Sequence, residues 1–117
     1  MARADRHPVL SLRVILRKGS AFGPGKAELL EHIRDTGSIA AAGRRMKMSY
    51  TRAWGLVEAM NRDFAAPLVH PAKGGAQRGG AVLTALGAEV LQRYRRIQAR
   101  SARLAAADLR ALRRKLR

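Results

Sequence analysis

Hydrophobic and polar residues follow two different periods along the chain, and each change of period marks a predicted element. In residues 9–18, VLSLRVILRK, every second position from Leu10 to Leu16 is apolar, which predicts one half-buried strand. The following stretch, residues 19–25, is GSAFGPG, whose glycines and proline predict a turn and linker.

Apolar residues then recur at helical spacing, which predicts three consecutive helices. The first covers residues 26–37 and ends at a glycine. Ser38 is placed to cap the second helix, residues 39–48, whose small alanines would let it cross the third helix closely. Ser49 is placed to cap the third helix, which ends near Phe64.

The third predicted helix has a polar and charged first turn ahead of an apolar stripe. The first turn consists of Ser49, Tyr50, Thr51 and Arg52. The stripe, which is flanked by Tyr50 and Trp54, consists of Ala53, Leu56, Val57, Met60 and Phe64. An ordinary amphipathic helix, in which Ser49 only caps and Tyr50 only packs, would show this pattern. A helix whose first turn contacts another molecule would show it equally well.

Two short strands and a long helix are predicted after the third helix. The strands are residues 67–72 and 81–85, and the glycine-rich loop of residues 73–80 joins them. A last helix runs from residue 85 towards residue 116, and roughly 28 helical residues at about 1.5 Å each would make it roughly 42 Å long. Its apolar residues are Leu86, Val90, Tyr94, Ile97, Leu104 and Leu112. Because a domain of this size does not need such a long helix, we expect the helix to form a symmetric dimer.

The charge of the chain favours polyanionic partners. Its 117 residues include 24 lysines and arginines against 8 acidic residues, a formal net charge of +16. Nucleic acid is the first expected partner, and an anionic membrane surface is the second candidate. The basic residues are mostly arginine, which suits phosphate and guanine but is also what a GC-rich genome produces. Since no run of about 18 apolar residues occurs, we expect no membrane span and a cytoplasmic, nucleoid-associated protein.

These elements predict a mostly α-helical fold with a small β hairpin (α+β), arranged as a winged helix-turn-helix. We expect a disordered N-terminal tail at residues 1–8 and a DNA-binding domain at residues 9–84. Residues 85–117 are expected to form a long basic C-terminal helix for dimerisation. This segment holds ten basic residues against two acidic ones, which suits phosphate neutralisation, attraction to RNA or an anionic surface, or a simple solvated tail.

The helix pair and the hairpin suggest which residues touch DNA. In this fold the second helix of the pair places its first turn against base edges and phosphates. We therefore expect base and phosphate contacts from Ser49, Tyr50, Thr51 and Arg52. Contacts to the DNA backbone are expected from Ser38, Arg44, Arg45 and Lys47. The glycine-rich loop would add Lys73, Gln77 and Arg78 as wing contacts, although a plain solvated loop remains an alternative. Its glycines lack the spacing of a nucleotide-binding P-loop.

Catalytic and metal-binding chemistry have little support in the sequence. The chain has no cysteine, and its three histidines, His7, His32 and His70, stand far apart. Glu28 and Glu31 share a helix face, but nearby basic residues and solvent explain them better than paired acid–base catalysis. We expect a protein that is not an enzyme and that uses no metal and no cofactor.

Two segments resemble the ModE-type molybdate-responsive transcriptional regulators, which are related to LysR-type winged helices. They are GSIAAAGRRMKMSYTRAWGLVEAMN and PLVHPAKGGAQRGGAVLTALGAEVLQRY. The motifs that carry the resemblance are S-Y-x-x-A-W at residues 49–54, G-G-x-x-x-G-G in the loop, and L-T-x-x-G at residues 83–87. The resemblance implies a dimeric repressor or activator in which residues 49–52 begin the recognition helix and residues 73–80 form the wing.

The chain departs from that family pattern at two points. Lys47 stands where the turn between the two helices commonly has glycine, and lysine in a left-handed turn costs on the order of 1 kcal/mol. The molybdate-binding domains of full-length members have no counterpart in these 117 residues. We therefore expect a regulator without its own ligand-sensing domain, which either acts without a ligand or relies on a separate sensor protein.

Three hypotheses follow from the sequence. The first is a sequence-specific DNA-binding transcriptional regulator that acts as a dimer. The second is a nucleoid-type architectural protein of the same fold, which binds duplex DNA with little sequence preference. The third is a protein-interaction module whose long helix binds an acidic partner and whose charge only aids solubility.

Overall fold

The computed structural model describes residues 7–72 and 80–117, and it confirms an α+β fold with two small antiparallel sheets. The elements follow one another as β1 (Val14–Arg17), β2 (Ser20–Phe22), α1 (Pro24–Thr36), α2 (Ile39–Arg45), α3 (Tyr50–Asp63), β3 (Val69–Pro71), β4 (Ala81–Leu83), α4 (Ala85–Leu104) and α5 (Ala106–Arg114). Strand β1 pairs with β2, and β3 pairs with β4. The helix-turn-helix is α2 and α3, and the β3–β4 hairpin is the wing.

The core lies where α1, α3 and α4 meet. Helix α1 contributes four fully buried side chains, Ala27, Leu29, Leu30 and Ile33. The predicted stripe of α3 is confirmed, because Ala53, Val57 and Met60 are buried while Leu56 and Phe64 are partly buried against them. The opposite face of α3 is exposed, as its polar residues predict.

Strand β2 was not predicted, because residues 19–25 have the composition of a linker. Gly19 takes a left-handed backbone angle (φ 82°), which turns the chain back and pairs Val14 with Phe22. Phe22 is buried and packs edge-on against Tyr94, with 5.2 Å between the ring centroids. The predicted strand over residues 9–18 is accordingly shorter than expected, and β1 forms one arm of a β1–β2 hairpin.

The predicted long helix is confirmed over Ala85–Leu104, but it does not continue towards residue 116. Helix α4 ends at Leu104, and α5 begins at Ala106 after a break at Ala105 that no glycine or proline marks. Helix α5 returns beside the start of the described chain, where Arg113 donates a hydrogen bond to the carbonyl of His7. With 20 residues, α4 is about 30 Å long, so the length argument for a dimer no longer holds.

Tyr94 also departs from its expected role as a dimerisation residue. Its side chain is only 3% exposed within a single chain, so it is not available to a partner. The hydroxyl donates a 2.6 Å hydrogen bond to the carbonyl of Leu12, which ties α4 to the segment before β1. Burial raises the pKa of Tyr94, consistent with a neutral phenol that serves packing.

An ion pair joins α1 to α4. Arg95 donates two hydrogen bonds to the carboxylate of Glu31, at 3.0 and 2.5 Å, and both side chains are partly buried. This bidentate geometry is the strong form of an arginine–carboxylate contact. It gives Glu31 a structural partner, in agreement with the interpretation of Glu31 as an ion-pairing residue.

Candidate nucleic-acid interface

The turn between α2 and α3 is held by backbone hydrogen bonds and one unusual dihedral angle. The amide of Met48 donates to the carbonyl of Gly43 at 3.0 Å, and the amide of Met46 donates to that of Ala42 at 3.2 Å. Lys47 between them has φ 57°, the left-handed conformation that glycine adopts at least cost. Lysine thus adopts the left-handed conformation at this position of the turn, at a cost on the order of 1 kcal/mol.

Small side chains let α2 and α3 cross closely. A Cβ atom on Gly43 would lie 3.1 Å from the Cβ atom of Ala53 in α3, tighter than an ordinary contact. Ala42 is fully buried beside it. The alanines of α2 were expected to permit this crossing, but sequence reasoning missed that Gly43 also approaches α3 closely. Its signal was a glycine within a helix, where glycine is otherwise unfavourable.

Each helix of the pair begins with a serine cap, as predicted. The Ser38 hydroxyl accepts a 3.1 Å hydrogen bond from the amide of Ala41, and the Ser49 hydroxyl accepts one of 3.1 Å from the amide of Arg52. These bonds satisfy amides that the helix itself leaves unpaired. The cap at Ser49 fixes where α3 starts and therefore which side chains form its first turn.

The first turn of α3 projects outward. Tyr50 is 58% exposed, Thr51 and Arg52 are exposed, and burial begins at Ala53. Tyr50 and Trp54, one helical turn apart, stack with their rings 6.4 Å apart and 8° from parallel. The pair presents a flat aromatic surface on the side of α3 that faces the wing, where it lines a groove with His70 and Pro71.

Asn61 fixes the wing to α3, a role that sequence reasoning missed. Its side-chain oxygen accepts hydrogen bonds from the amides of Leu68 (2.8 Å) and Val69 (3.2 Å). Its side-chain nitrogen donates to the carbonyl of Val69 at 3.1 Å. One side chain thus satisfies three backbone groups at the start of β3, so hydrogen bonds from a single residue of α3 hold the wing against that helix. The only signal in the sequence was a polar amide next to the apolar stripe.

The base of the wing packs against the start of α4 through the L-T-x-x-G motif. The Thr84 hydroxyl accepts a hydrogen bond from the amide of Gly87 (2.9 Å) and donates one to the carbonyl of Pro67 (2.8 Å). The Thr84 amide donates to the carbonyl of Leu68. A Cβ atom on Gly87 would lie 2.1 Å from that same carbonyl oxygen, so only glycine fits there. The motif therefore joins β3 to α4.

The predicted backbone-contact residues lie around the helix-turn-helix. Arg44 and Arg45 are exposed in the last turn of α2, Lys47 is exposed in the following turn, and Ser38 is half-buried as the cap of α2. Strand β4 is tied to the same region, since the amide of Ala81 donates to the carbonyl of Gly37 at 2.8 Å. The structure thus brings α2, the turn and the root of the wing together.

The predicted wing contacts Lys73, Gln77 and Arg78 lie outside the described residues, so their role stays a prediction. Within the described residues no group of three or more histidine, aspartate or glutamate side chains could hold a metal ion. None of the helices described is both long and apolar enough to cross a membrane.

Known proteins similar to this chain include a molybdenum-pterin-binding protein and a transcriptional regulator named ModE. The molybdenum-pterin-binding protein MopB of Rhodobacter capsulatus is 45% identical over 91 residues, which cover 78% of this chain and 34% of MopB. The transcriptional regulator ModE of Haemophilus influenzae is 36% identical over 83 residues, 71% of this chain and 32% of that protein. The predicted resemblance to ModE-type regulators is confirmed. The chain spans about a third of the length of these relatives.

Comparison of structures supports the same fold. The DNA-binding domain in a crystal structure of the CbnR–DNA complex superposes with a TM-score of 0.58 at 23% identity, covering 75% of this chain and 95% of that one. This likeness shows a winged helix-turn-helix fold. No protein-family model matches the chain.

Proposed function

We propose that this chain, being similar to part of the ModE-type regulators, is the DNA-binding part of a sequence-specific transcriptional regulator. The observation that carries the proposal is the exposed first turn of α3, with Tyr50, Thr51 and Arg52 directed outward beside a wing that Asn61 holds in place. The formal net charge of +16 supplies the attraction to a polyanion. The ModE relatives, which are named as transcriptional regulators, and the winged-helix fold support this proposal.

Each exposed group in the first turn has a defined role in this proposal. Arg52 forms a two-pronged contact with guanine or phosphate, and the Thr51 hydroxyl bonds a base edge or a phosphate. The flat Tyr50–Trp54 surface lies against the apolar part of the groove wall. Arg44, Arg45 and Lys47 neutralise phosphates on one side of α3, and the Ser38 hydroxyl donates a hydrogen bond to the same backbone. Lys73 and Arg78 neutralise phosphates from the wing, and the Gln77 amide donates a hydrogen bond there.

The proposed regulator acts as a dimer through α4 and α5. Ile97 (45% exposed), Leu104 (89%) and Leu112 (66%) leave apolar surface uncovered by the described chain. Leu86 and Val90 are half-buried on the same helix and complete the patch at its edge. A two-fold dimer would place two α3 helices about 34 Å apart, one turn of duplex. Light scattering tests this directly, since a monomer at micromolar concentration contradicts the dimer.

Ligand sensing is not assigned to the described residues, and we propose a separate sensor protein as a further partner. MopB is named for molybdenum-pterin binding, but the chain matches only 34% of its length. Nucleoid association follows from the proposed DNA binding, and no catalytic activity is expected.

Selection of bound sites from a random pool of duplexes, followed by competition with bulk DNA, tests the function. A sequence-specific regulator stays bound to the selected site in the presence of a large excess of bulk DNA. An architectural protein binds the selected site no more tightly than it binds bulk DNA. The variant R52A/R78A provides the second arm. If the protein is a regulator, R52A/R78A has a lower affinity for DNA than the wild type. If it is a protein-interaction module, the variant binds its protein partner as tightly as the wild type does.

A further inference from the structure

Helix α3 forms a ridge between two grooves. Tyr50 and Trp54 line the groove on the wing side, while Arg52 and Leu56 line a second groove on the other side. Residues two apart in a helix are about 200° apart around its axis, so Tyr50 and Arg52 necessarily face opposite sides. The walls of the second groove are the β1–β2 hairpin, the first turn of α1 and Met48 of the helix-turn-helix.

The second groove is positively charged. Its lining contains four basic side chains, Arg13, Lys18, Lys26 and Arg52, and no carboxylate among the described residues. Lys18 lies in the turn of the β1–β2 hairpin, and Arg13 precedes β1. Lys26 donates one hydrogen bond to the carbonyl of Ala21 at 2.7 Å, which holds its ammonium at the groove floor. The first turn of α1 contains no acidic residue.

The dimensions of a DNA duplex explain why a helix in the major groove benefits from phosphate contacts on both of its sides. An α-helix with its side chains is about 10–12 Å across and the major groove is about 12 Å wide. A helix seated in that groove therefore has one phosphate backbone along each flank. The wing stands at one flank of α3, and the β1–β2 hairpin stands at the other.

We propose that the β1–β2 hairpin is a second wing, which binds the phosphates of the DNA strand on the flank of α3 away from the β3–β4 hairpin. The phosphate contacts are Lys18 in the turn of the hairpin and Arg13 immediately before β1, and Lys26 of α1 adds positive charge to the same groove. Arg52 lies between this strand and the base edges. The proposal rests on the proposed DNA-binding function and adds to it a partner surface that lies outside the helix-turn-helix and its wing.

The salt dependence of binding to a 30-base-pair duplex measures these contacts, since each neutralised phosphate contributes a slope of about −0.9 in log affinity against log salt. The test variant is R13Q/K18Q. The matched control is R34Q/R93Q, which removes the same charge from residues that pair with Asp35 and Glu89 and line neither groove. K18Q alone is the second variant, because Lys18 is exposed in a turn and its replacement leaves the fold intact.

The expected result for R13Q/K18Q is a slope smaller in magnitude by about 1.8 and an affinity lower by roughly 10- to 60-fold at 0.1 M salt. K18Q shows about half the change in slope, and R34Q/R93Q stays near wild type. A wild-type slope in R13Q/K18Q and K18Q, or an equal loss in R34Q/R93Q, overturns the second wing.

The variant R52Q distinguishes a failure of the second-wing proposal from a failure of the proposed DNA-binding function. If R52Q loses affinity while R13Q/K18Q matches R34Q/R93Q, the second wing fails and the DNA-binding function stands. If the wild-type chain does not bind the duplex, both fail together.

Discussion

Helix α4 approaches the backbone of Leu68 closely at Gly87, and replacing Gly87 with alanine tests the assembly of the wing. A Cβ atom there would lie 2.1 Å from the carbonyl oxygen and 3.0 Å from the carbonyl carbon of Leu68. These are backbone atoms in a hydrogen-bonded segment, so no side-chain rotation relieves the clash. Strand β3 and helix α4 must separate by about 1 Å, and we expect G87A to lower the free energy of unfolding by about 3 kcal/mol.

Gly55 provides the matched control, because the same methyl group added there meets no atom within 4 Å. In a helix, alanine is more favourable than glycine by about 1 kcal/mol, so we expect G55A to raise stability. Urea unfolding followed by circular dichroism gives both values. G87A should also lower the melting temperature by roughly 10 °C. A G87A protein within about 0.5 kcal/mol of wild type would refute the close approach.

Three further substitutions test the links that position the site. N61A leaves three backbone groups of Leu68 and Val69 without their side-chain partner. We therefore expect urea unfolding to give a free energy of unfolding lower by about 2 kcal/mol, together with weaker DNA binding. Unchanged stability would show that Asn61 does not hold the wing to α3. K47G removes the Cβ atom that strains the left-handed backbone at residue 47, so we expect the free energy of unfolding to rise by up to about 1 kcal/mol. The loss of one positive charge should also reduce the magnitude of the salt slope of DNA binding by about 0.9. A less stable K47G protein would show that Lys47 is not strained. Y94F removes the hydrogen bond to Leu12 at a cost of about 1 kcal/mol. Burial raises the pKa of Tyr94, so its contribution is present below pH 10 and is lost as the pH rises through the raised pKa; pH titration of unfolding should show a flatter alkaline limb in Y94F.

Local signals explain which elements could be predicted from the sequence. The serine caps at Ser38 and Ser49 act within one helical turn, and the apolar stripe of α3 depends only on helical spacing. The wing strands are bounded by glycine and proline, which are equally local. These features needed no knowledge of distant contacts, and the structure confirms them.

The features that could not be predicted from the sequence depend on contacts between residues that lie far apart in the chain. Strand β2 exists because Phe22 packs against Tyr94, which lies far along the chain and cannot be inferred from a glycine-rich stretch. The break at Ala105 has no local marker, and α5 returns to a segment about a hundred residues earlier. The clamp of Asn61 and the close approach of Gly87 involve backbone atoms of Leu68 and Val69, so neither leaves a periodic pattern.

The central claim is that the first turn of α3 enters a groove of duplex DNA, and the fluorescence of Trp54 tests it most directly. Trp54 is the only tryptophan, is 42% exposed, and stacks on Tyr50 at the leading edge of α3. Acrylamide quenching is measured for the free chain and for the chain saturated with duplex. We expect bound duplex to shield Trp54 and to lower its quenching severalfold. Equal quenching in the free and the fully bound protein would show that the first turn of α3 does not enter the groove.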